Sequence, residues 1–133
     1  ARWNSPGTPV VYCSLDPATT ILEKAVHVGF PALDRVPHVL TSVRIAAPES
    51  TRVVQPAEVP NSNWLRPGSP SAGQQTFGDA LLAAHRFVVI PSVVSRHSWN
   101  LMFDPVRAAG AYQLVKQEPF ALDTRLHRPA IQG

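Results

Sequence analysis

Several classes of protein are excluded by what this 133-residue sequence lacks. No apolar run approaches the roughly 18 residues that a membrane-spanning helix needs, and no basic segment followed by an apolar one marks a secretory leader. The single cysteine, Cys13, cannot form an internal disulfide, and in an apolar strand it is expected to be an inert, buried thiol. We therefore expect a protein of the reducing cytoplasm, with no membrane partner.

Lysine is also scarce, because ten of the twelve basic residues are arginine. The net charge of +3 is spread along the chain without a run of like charges, whereas a nucleic-acid binder usually concentrates its positive charge on one helix or stripe. Direct binding of nucleic acid is therefore not expected. Planar arginine forks do suit phosphate or carboxylate groups.

The motifs of several common chemistries are missing as well. The turn at 14–17, between a predicted strand and a predicted helix, lacks the glycines of a Rossmann fold, and no Gly-x-x-x-x-Gly-Lys loop is present. The five histidines never show zinc-ligand spacing, so no metal is expected. Ser92 lacks the Gly-x-Ser-x-Gly context of a hydrolase nucleophile.

The patterns that are present predict a mixed α+β domain. Residues 9–14 read as a central strand with apolar residues on both faces. Asp16 and Pro17 then start a helix as N-cap and first helical residue, and Gly29 ends it. The buried stripe of this helix is predicted to consist of Ala18, Ile21, Leu22, Ala25 and Val26.

The remaining elements alternate irregularly, which favours α+β over a doubly wound sheet. Residues 55–73 are rich in proline, serine, asparagine and glycine and are expected to form a long irregular loop. A second helix is predicted at 77–85. Further strands are predicted at 39–45, 51–54, 87–91, 99–103, 111–116 and 120–126.

The start of the chain combines a planar cation, an aromatic ring and a carboxylate within one loop, strand and helix. A carboxylate beside a ribose stabilises the positive charge that develops when a glycosidic bond breaks, and Glu23 is suited to this. Arg2 is suited to a pyrophosphate and Tyr12 to stacking on a base. Ser92, at the end of a neighbouring strand, is suited to closing the pocket.

Each of these residues also has an ordinary structural explanation. Residues 20–23 match a capping box, in which Glu23 satisfies the start of a helix. Its position off the apolar stripe also predicts that replacement by alanine leaves the fold intact. Tyr12 is explained as a core residue with a satisfied hydroxyl, Arg2 as part of a frayed terminus, and Ser92 as a turn residue.

Separated segments resemble the RES domain family in the family's order. They are Arg2-Trp3-Asn4-Ser5-Pro6-Gly7, Val10-Val11-Tyr12, Leu22-Glu23 with His27, Trp64, Gln75-x-x-Gly78-Asp79, Ile90-Pro91-Ser92-Val93-Val94, Asn100-Leu101, Pro119-Phe120 and Asp123-x-Arg125-Leu126. The resemblance implies one compact RES-like domain over residues 1–133, with a mixed sheet and a fold like that of ADP-ribosyltransferases. It also implies that Arg2, Tyr12, Glu23 and Ser92 form the active site.

The resemblance further implies a bacterial toxin that degrades NAD by cleaving the nicotinamide–ribose bond, with water or inorganic phosphate as acceptor. NAD would be the substrate, and an Xre-type helix-turn-helix antitoxin would hold the toxin in an inactive hetero-oligomeric complex. Two alternatives stay open: mono-ADP-ribosyl transfer to a protein, and a non-catalytic basic binding module.

Two features depart from the family pattern. Family members carry a segment before the Arg-Trp motif, with a further arginine expected at the NAD pocket, and the sequence is expected to lack that segment. Asp104 stands where the family tends to have asparagine before a proline.

Overall fold

The structure of the chain, a computed structural model, describes residues 2–59, 64 and 71–127. The predicted α+β class is confirmed. The strands are β1 (Val11–Ser14), β2 (His38–Ile45), β3 (Arg52–Val53), β4 (Val88–Pro91), β5 (Trp99–Phe103) and β6 (Tyr112–Phe120). The α-helices are α1 (Pro17–Val28), α2 (Phe30–Arg35) and α3 (Ala72–Ala84), and short 3-10 helices cover Pro48–Ser50, Pro56–Glu58 and Thr124–His127.

The strands form a four-stranded sheet and a separate two-stranded ribbon. The sheet has the order β1-β5-β4-β3, with β5 antiparallel to both neighbours and β3 parallel to β4. The ribbon pairs β2 with β6 in antiparallel register, with an irregularity between Ser42 and Val43. None of the helices in the described ranges is long and apolar enough to cross a membrane.

Each face of the four-stranded sheet has its own core, because alternate residues of a strand point to opposite sides. On one face, Val88, Ile90 and Met102 are fully buried and pack with the indole rings of Trp3 and Trp64. On the other face, apolar residues of β4 and β5 meet residues of the ribbon. The ring of Phe103 there lies 5.3 Å from Phe87 and 4.8 Å from Tyr112, centroid to centroid.

The start and end of α1 agree with the sequence prediction. The Asp16 carboxylate accepts a hydrogen bond from the Thr19 backbone N at 2.9 Å, Pro17 opens the helix, and Gly29 caps its end. The predicted buried stripe is only partly correct. Ala25 is buried and Ile21 half-buried, but Ala18 and Leu22 are exposed and Val26 is 65% exposed. The main contacts of α1 in the described ranges are with α2 and β1, and Ala25 packs with Leu33 and Leu122.

The prediction of β1 as a central strand is wrong. In the part of the chain that the structure describes, β1 pairs only with β5, so it is an edge strand there, and it begins at Val11. Its apolar residues are explained by the ribbon and α1, which lie beside it, rather than by a second neighbouring strand. Among residues 2–59, 64 and 71–127, no strand pairs with the other edge of β1.

Two predictions for the second half of the chain also need correction. The second helix starts at Ala72 rather than 77, because the Ser71 hydroxyl caps it by accepting from Gln74 N at 3.0 Å. The strand predicted at 120–126 is wrong, since β6 already ends at Phe120 and a 3-10 helix follows. In the predicted loop, 60–63 and 65–70 lie outside the described residues, and Trp64 is buried in the core.

Candidate active site

Strand register gathers three polar side chains at one end of the four-stranded sheet. Ser14 on β1 pairs with Asn100 on β5, and Asn100 pairs with Ile90 on β4. Ser92 follows the end of β4, where its backbone N donates to Ser98 O at 2.9 Å. Because paired residues project from the same face, Ser14, Asn100 and Ser92 form a short polar row.

Glu23 reaches this row from the middle of α1. Its Oε1 atom accepts a hydrogen bond from Ser92 Oγ at 2.8 Å and another from Asn100 Nδ2 at 2.7 Å. The Ser92 hydroxyl is itself fixed, because its oxygen accepts from the backbone N atoms of Val94 at 3.2 Å and Ser95 at 3.1 Å. The carboxylate is therefore held against the sheet by two oriented donors.

These contacts exclude the capping-box explanation of Glu23. The helix begins at Pro17 with Asp16 as its cap, so Glu23 lies too far along α1 to satisfy the helix start. The bonds to Ser92 and Asn100 span 69 and 77 positions of sequence. The Glu23 side chain is thus half-buried and makes tertiary hydrogen bonds, and it does not act as a local capping group.

The loop that carries Arg2 is anchored on α3. Trp3 is 3% exposed, and its ring lies 5.9 Å from that of Trp64. Ser5 donates twice to Asp79, from its backbone N at 3.0 Å and from its hydroxyl at 2.5 Å. Arg2 Nη1 donates to Trp64 O at 3.4 Å, so the frayed terminus considered from sequence does not describe this half-buried side chain.

Tyr12 is tied to the same loop. Its hydroxyl donates to Asn4 Oδ1, and Asn4 Nδ2 donates to the backbone oxygens of Ser5 at 3.0 Å and Thr8 at 3.4 Å. Although 40% of the Tyr12 side chain is exposed, desolvation raises the pKa of Tyr12 from 10.0 to about 12, with a smaller contribution from the charge of Asp79. The phenol is therefore a neutral hydrogen-bond donor at physiological pH.

The raised pKa of Tyr12 predicts a late phenolate transition. The folded pKa exceeds the unfolded value, so the stability that Tyr12 contributes is complete below pH 10.0 and is lost as the pH rises towards about 12. A spectrophotometric titration should show a phenolate component near pH 12 that is absent from the Tyr12→Phe variant. A late phenolate component that persists in Tyr12→Phe would contradict its assignment to Tyr12.

A cleft of about 1740 Å³ brings the predicted residues together. Residues of β1, α1 and β2 line it, and Arg2, Tyr12 and Glu23 are among the lining residues. Ser92 is not part of the lining, because it is fully buried behind Glu23. The structure thus corrects the expectation that Ser92 forms the pocket wall: it contacts the carboxylate from the protein side.

The lining of the cleft carries charges of both signs. Lys24 and His27 on α1 line it near Glu23, and His38 does so from β2. Within residues 2–59, 64 and 71–127, no three His, Cys, Asp or Glu side chains are grouped as metal ligands. Cys13 also borders the cleft, but burial raises the pKa of its thiol, which opposes nucleophilic use.

The sequence patterns assign no role to four residues that organise the site: Ser14, Asn100, Asn4 and Asp79. Asn100 and Asp79 lie in segments that resemble the family, and Asn4 lies in the opening motif, so position in those motifs was the available signal. Nothing in the sequence singles out Ser14, because its importance follows from pairing with Asn100 across two strands.

Fold and site together define an α+β domain that holds a clamped carboxylate in a large cleft beside an arginine and a tyrosine. The sequence matches the family model of the RES domain over residues 1–125. The chain belongs to the RES domain family, as the sequence motifs predict, and RES domains are known from toxin–antitoxin systems. No curated protein matches the chain.

Proposed function

We propose that this protein is the toxin of a bacterial toxin–antitoxin system and that it degrades NAD by cleaving the bond between nicotinamide and ribose. Membership of the RES family supports an enzyme that acts on NAD. The observation that carries the proposal is the carboxylate of Glu23, which lines the cleft while two donors hold one of its oxygens.

Cleavage of this bond leaves positive charge on the ribose as nicotinamide departs. A carboxylate that is already oriented stabilises this charge without further reorganisation. Both donors act on Oε1 of Glu23, so Oε2 is the oxygen that faces the sugar. We assign to Glu23 the stabilisation of the ribose cation, with Ser92 holding it from behind.

The other cleft residues suit the rest of the dinucleotide. The planar guanidinium of Arg2 is suited to the pyrophosphate, which it can bind through two parallel hydrogen bonds. The ring of Tyr12 is suited to stacking on nicotinamide, and the bond from its neutral hydroxyl to Asn4 holds the ring in place. At about 1740 Å³ the cleft exceeds the roughly 300–1,000 Å³ of most ligand pockets, which leaves room for an acceptor.

The acceptor in this proposal is water or inorganic phosphate. Lys24 and His27 line the same cleft as Glu23, and basic groups near the ribose favour an anionic acceptor such as phosphate. The proposal includes a fold like that of ADP-ribosyltransferases and a cytoplasmic location. An Xre-type antitoxin in a hetero-oligomeric complex would block the cleft, since the producing cell must limit NAD loss.

The test is to incubate the purified protein with NAD, with and without phosphate, and to identify the products. We expect free nicotinamide together with ADP-ribose, or with ADP-ribose 1″-phosphate when phosphate is present. Label transferred from NAD to protein would show mono-ADP-ribosyl transfer instead. Intact NAD combined with salt-dependent retention of DNA would overturn the proposal in favour of a basic binding module.

A further inference from the structure

The two oxygens of Glu23 have different surroundings. Oε1 accepts hydrogen bonds from Ser92 Oγ and Asn100 Nδ2. Across the part of the chain that the structure describes, Oε2 accepts none, and the side chain lines the cleft. The carboxylate is therefore held asymmetrically, with one oxygen occupied and the other available.

The amide of Asn100 has only one orientation that satisfies its neighbours. A carboxylate offers acceptors alone, so the amide nitrogen must face Glu23. Its oxygen then faces β1, where Asn100 Oδ1 accepts from Ser14 Oγ at 2.7 Å. Because Ser14 and Asn100 are directly paired residues of β1 and β5, the sheet itself fixes this chain of hydrogen bonds.

We propose that Asn100 is a positioning residue for the NAD-cleaving reaction: held by Ser14, it occupies Oε1 of Glu23 and so directs Oε2 at the substrate ribose. The inference rests on the proposed function. Ser92 alone leaves the carboxylate free to rotate about its single hydrogen bond, whereas a second donor, on β5, restricts that rotation. A buried amide with satisfied hydrogen bonds and no role in turnover is the competing explanation, since Asn100 is 9% exposed.

The variant Asn100→Asp separates these explanations. It preserves size and the acceptor for Ser14 but replaces the donor to Glu23 with a second carboxylate. At about pH 8 both carboxylates are ionised and repel each other, so we expect kcat for NAD to fall about 10- to 100-fold. KM should change less than about threefold, because the hydrogen bond orients Glu23 rather than binding NAD.

The pH profile of Asn100→Asp supplies a second readout. Two adjacent carboxyl groups take up one shared proton as the pH falls, and that proton restores both the hydrogen bond and the single negative charge. The ratio of variant to wild-type kcat should therefore rise as the pH is lowered towards about 5. In protein shown to be folded across this pH range, a residue needed only for folding would give a ratio independent of pH.

The control is Gln113→Glu, which also converts an amide to a carboxylate but lies exposed on β6. It should keep wild-type kcat and pH dependence. Ser14→Ala should lower kcat less than Asn100→Asp does, by about 3- to 10-fold, since it removes only the contact that steadies the amide. If Asn100→Asp and Ser14→Ala are folded, consume NAD and both keep the wild-type kcat, the positioning role is overturned. The proposed function would still stand.

A measurement without NAD keeps the inference testable if the wild-type protein proves inactive. The side-chain NH₂ group of Asn100 should give an NMR signal shifted by its charged acceptor, and Glu23→Gln should move that signal towards the position of a neutral hydrogen bond. An inactive wild type refutes the proposed function. If Glu23→Gln leaves the position of the Asn100 signal unchanged, the hydrogen bond on which the positioning role depends is refuted.

Discussion

Glu23→Gln is expected to reduce NAD cleavage about 100- to 1000-fold while the protein stays folded. The loss follows from removing the negative charge that faces the ribose cation, an interaction that acts mainly in the transition state. The fold should survive because the glutamine oxygen can still accept from Ser92 and Asn100, as Oε1 of Glu23 does. The measurement is the rate of nicotinamide release, with thermal unfolding recorded in parallel.

Glu49→Gln is the matched control for charge, because Glu49 is exposed in the 3-10 helix Pro48–Ser50. It should cleave NAD at the wild-type rate. Rapid NAD cleavage by Glu23→Gln would remove Glu23 from the reaction.

Glu23→Ala is a less suitable test than the sequence suggests. The sequence predicts that this change leaves the fold intact. The alanine variant would, however, leave the buried donors of Ser92 and Asn100 without their acceptor. Each unpaired donor costs about 1–3 kcal/mol of folding free energy. A loss of activity in Glu23→Ala would therefore mix chemistry with instability, which the glutamine variant avoids.

Gly78→Ala is expected to give the largest loss of stability, about 3 kcal/mol in the free energy of unfolding. A Cβ atom at Gly78 would lie 1.7 Å from the backbone oxygen of Trp3, so the helix and the loop cannot keep their present distance. The loop carries Arg2 and bonds to Asp79, one residue beyond Gly78. Activity should fall together with stability as the loop is displaced.

Gly73→Ala provides a control in the same helix. The added Cβ atom would meet nothing closer than Ser71 Oγ at 3.9 Å, and alanine favours helix formation by up to about 1 kcal/mol over glycine. Chemical denaturation should therefore show Gly73→Ala equal to or more stable than wild type. If Gly78→Ala were as stable as Gly73→Ala, the close approach of Trp3 to α3 would not exist in solution.

Local signals account for the parts of the fold that were predicted correctly. The Asp16-Pro17 start and the Gly29 end of α1 are encoded by side-chain capping and by backbone preference, which act over a few residues. The buried run of β4 likewise follows from its composition. The edge position of β1 could not be predicted, because an apolar strand is compatible with either another strand or the ribbon beside it.

Family motifs predicted more of the site than local patterns did. They placed Arg2, Tyr12 and Glu23 in one site, and the structure places all three on one cleft. The capping-box pattern at 20–23 instead predicted that Glu23 caps a helix start. A local motif of this kind shows only that a residue is able to cap a helix, and not whether a helix begins there. The true cap, Asp16, lies earlier in the chain.

By itself, the sequence determined the α+β class, the family, the limits of α1 and the residue types available for chemistry. These properties depend on short-range preferences and on motifs that are visible in order along the chain. Only the tertiary structure decided which groups meet: Ser92 and Asn100 reach Glu23 across 69 and 77 positions, and Ser14 reaches Asn100 through strand register. Such contacts arise from sheet pairing and helix docking, which are set by the packing of the whole domain.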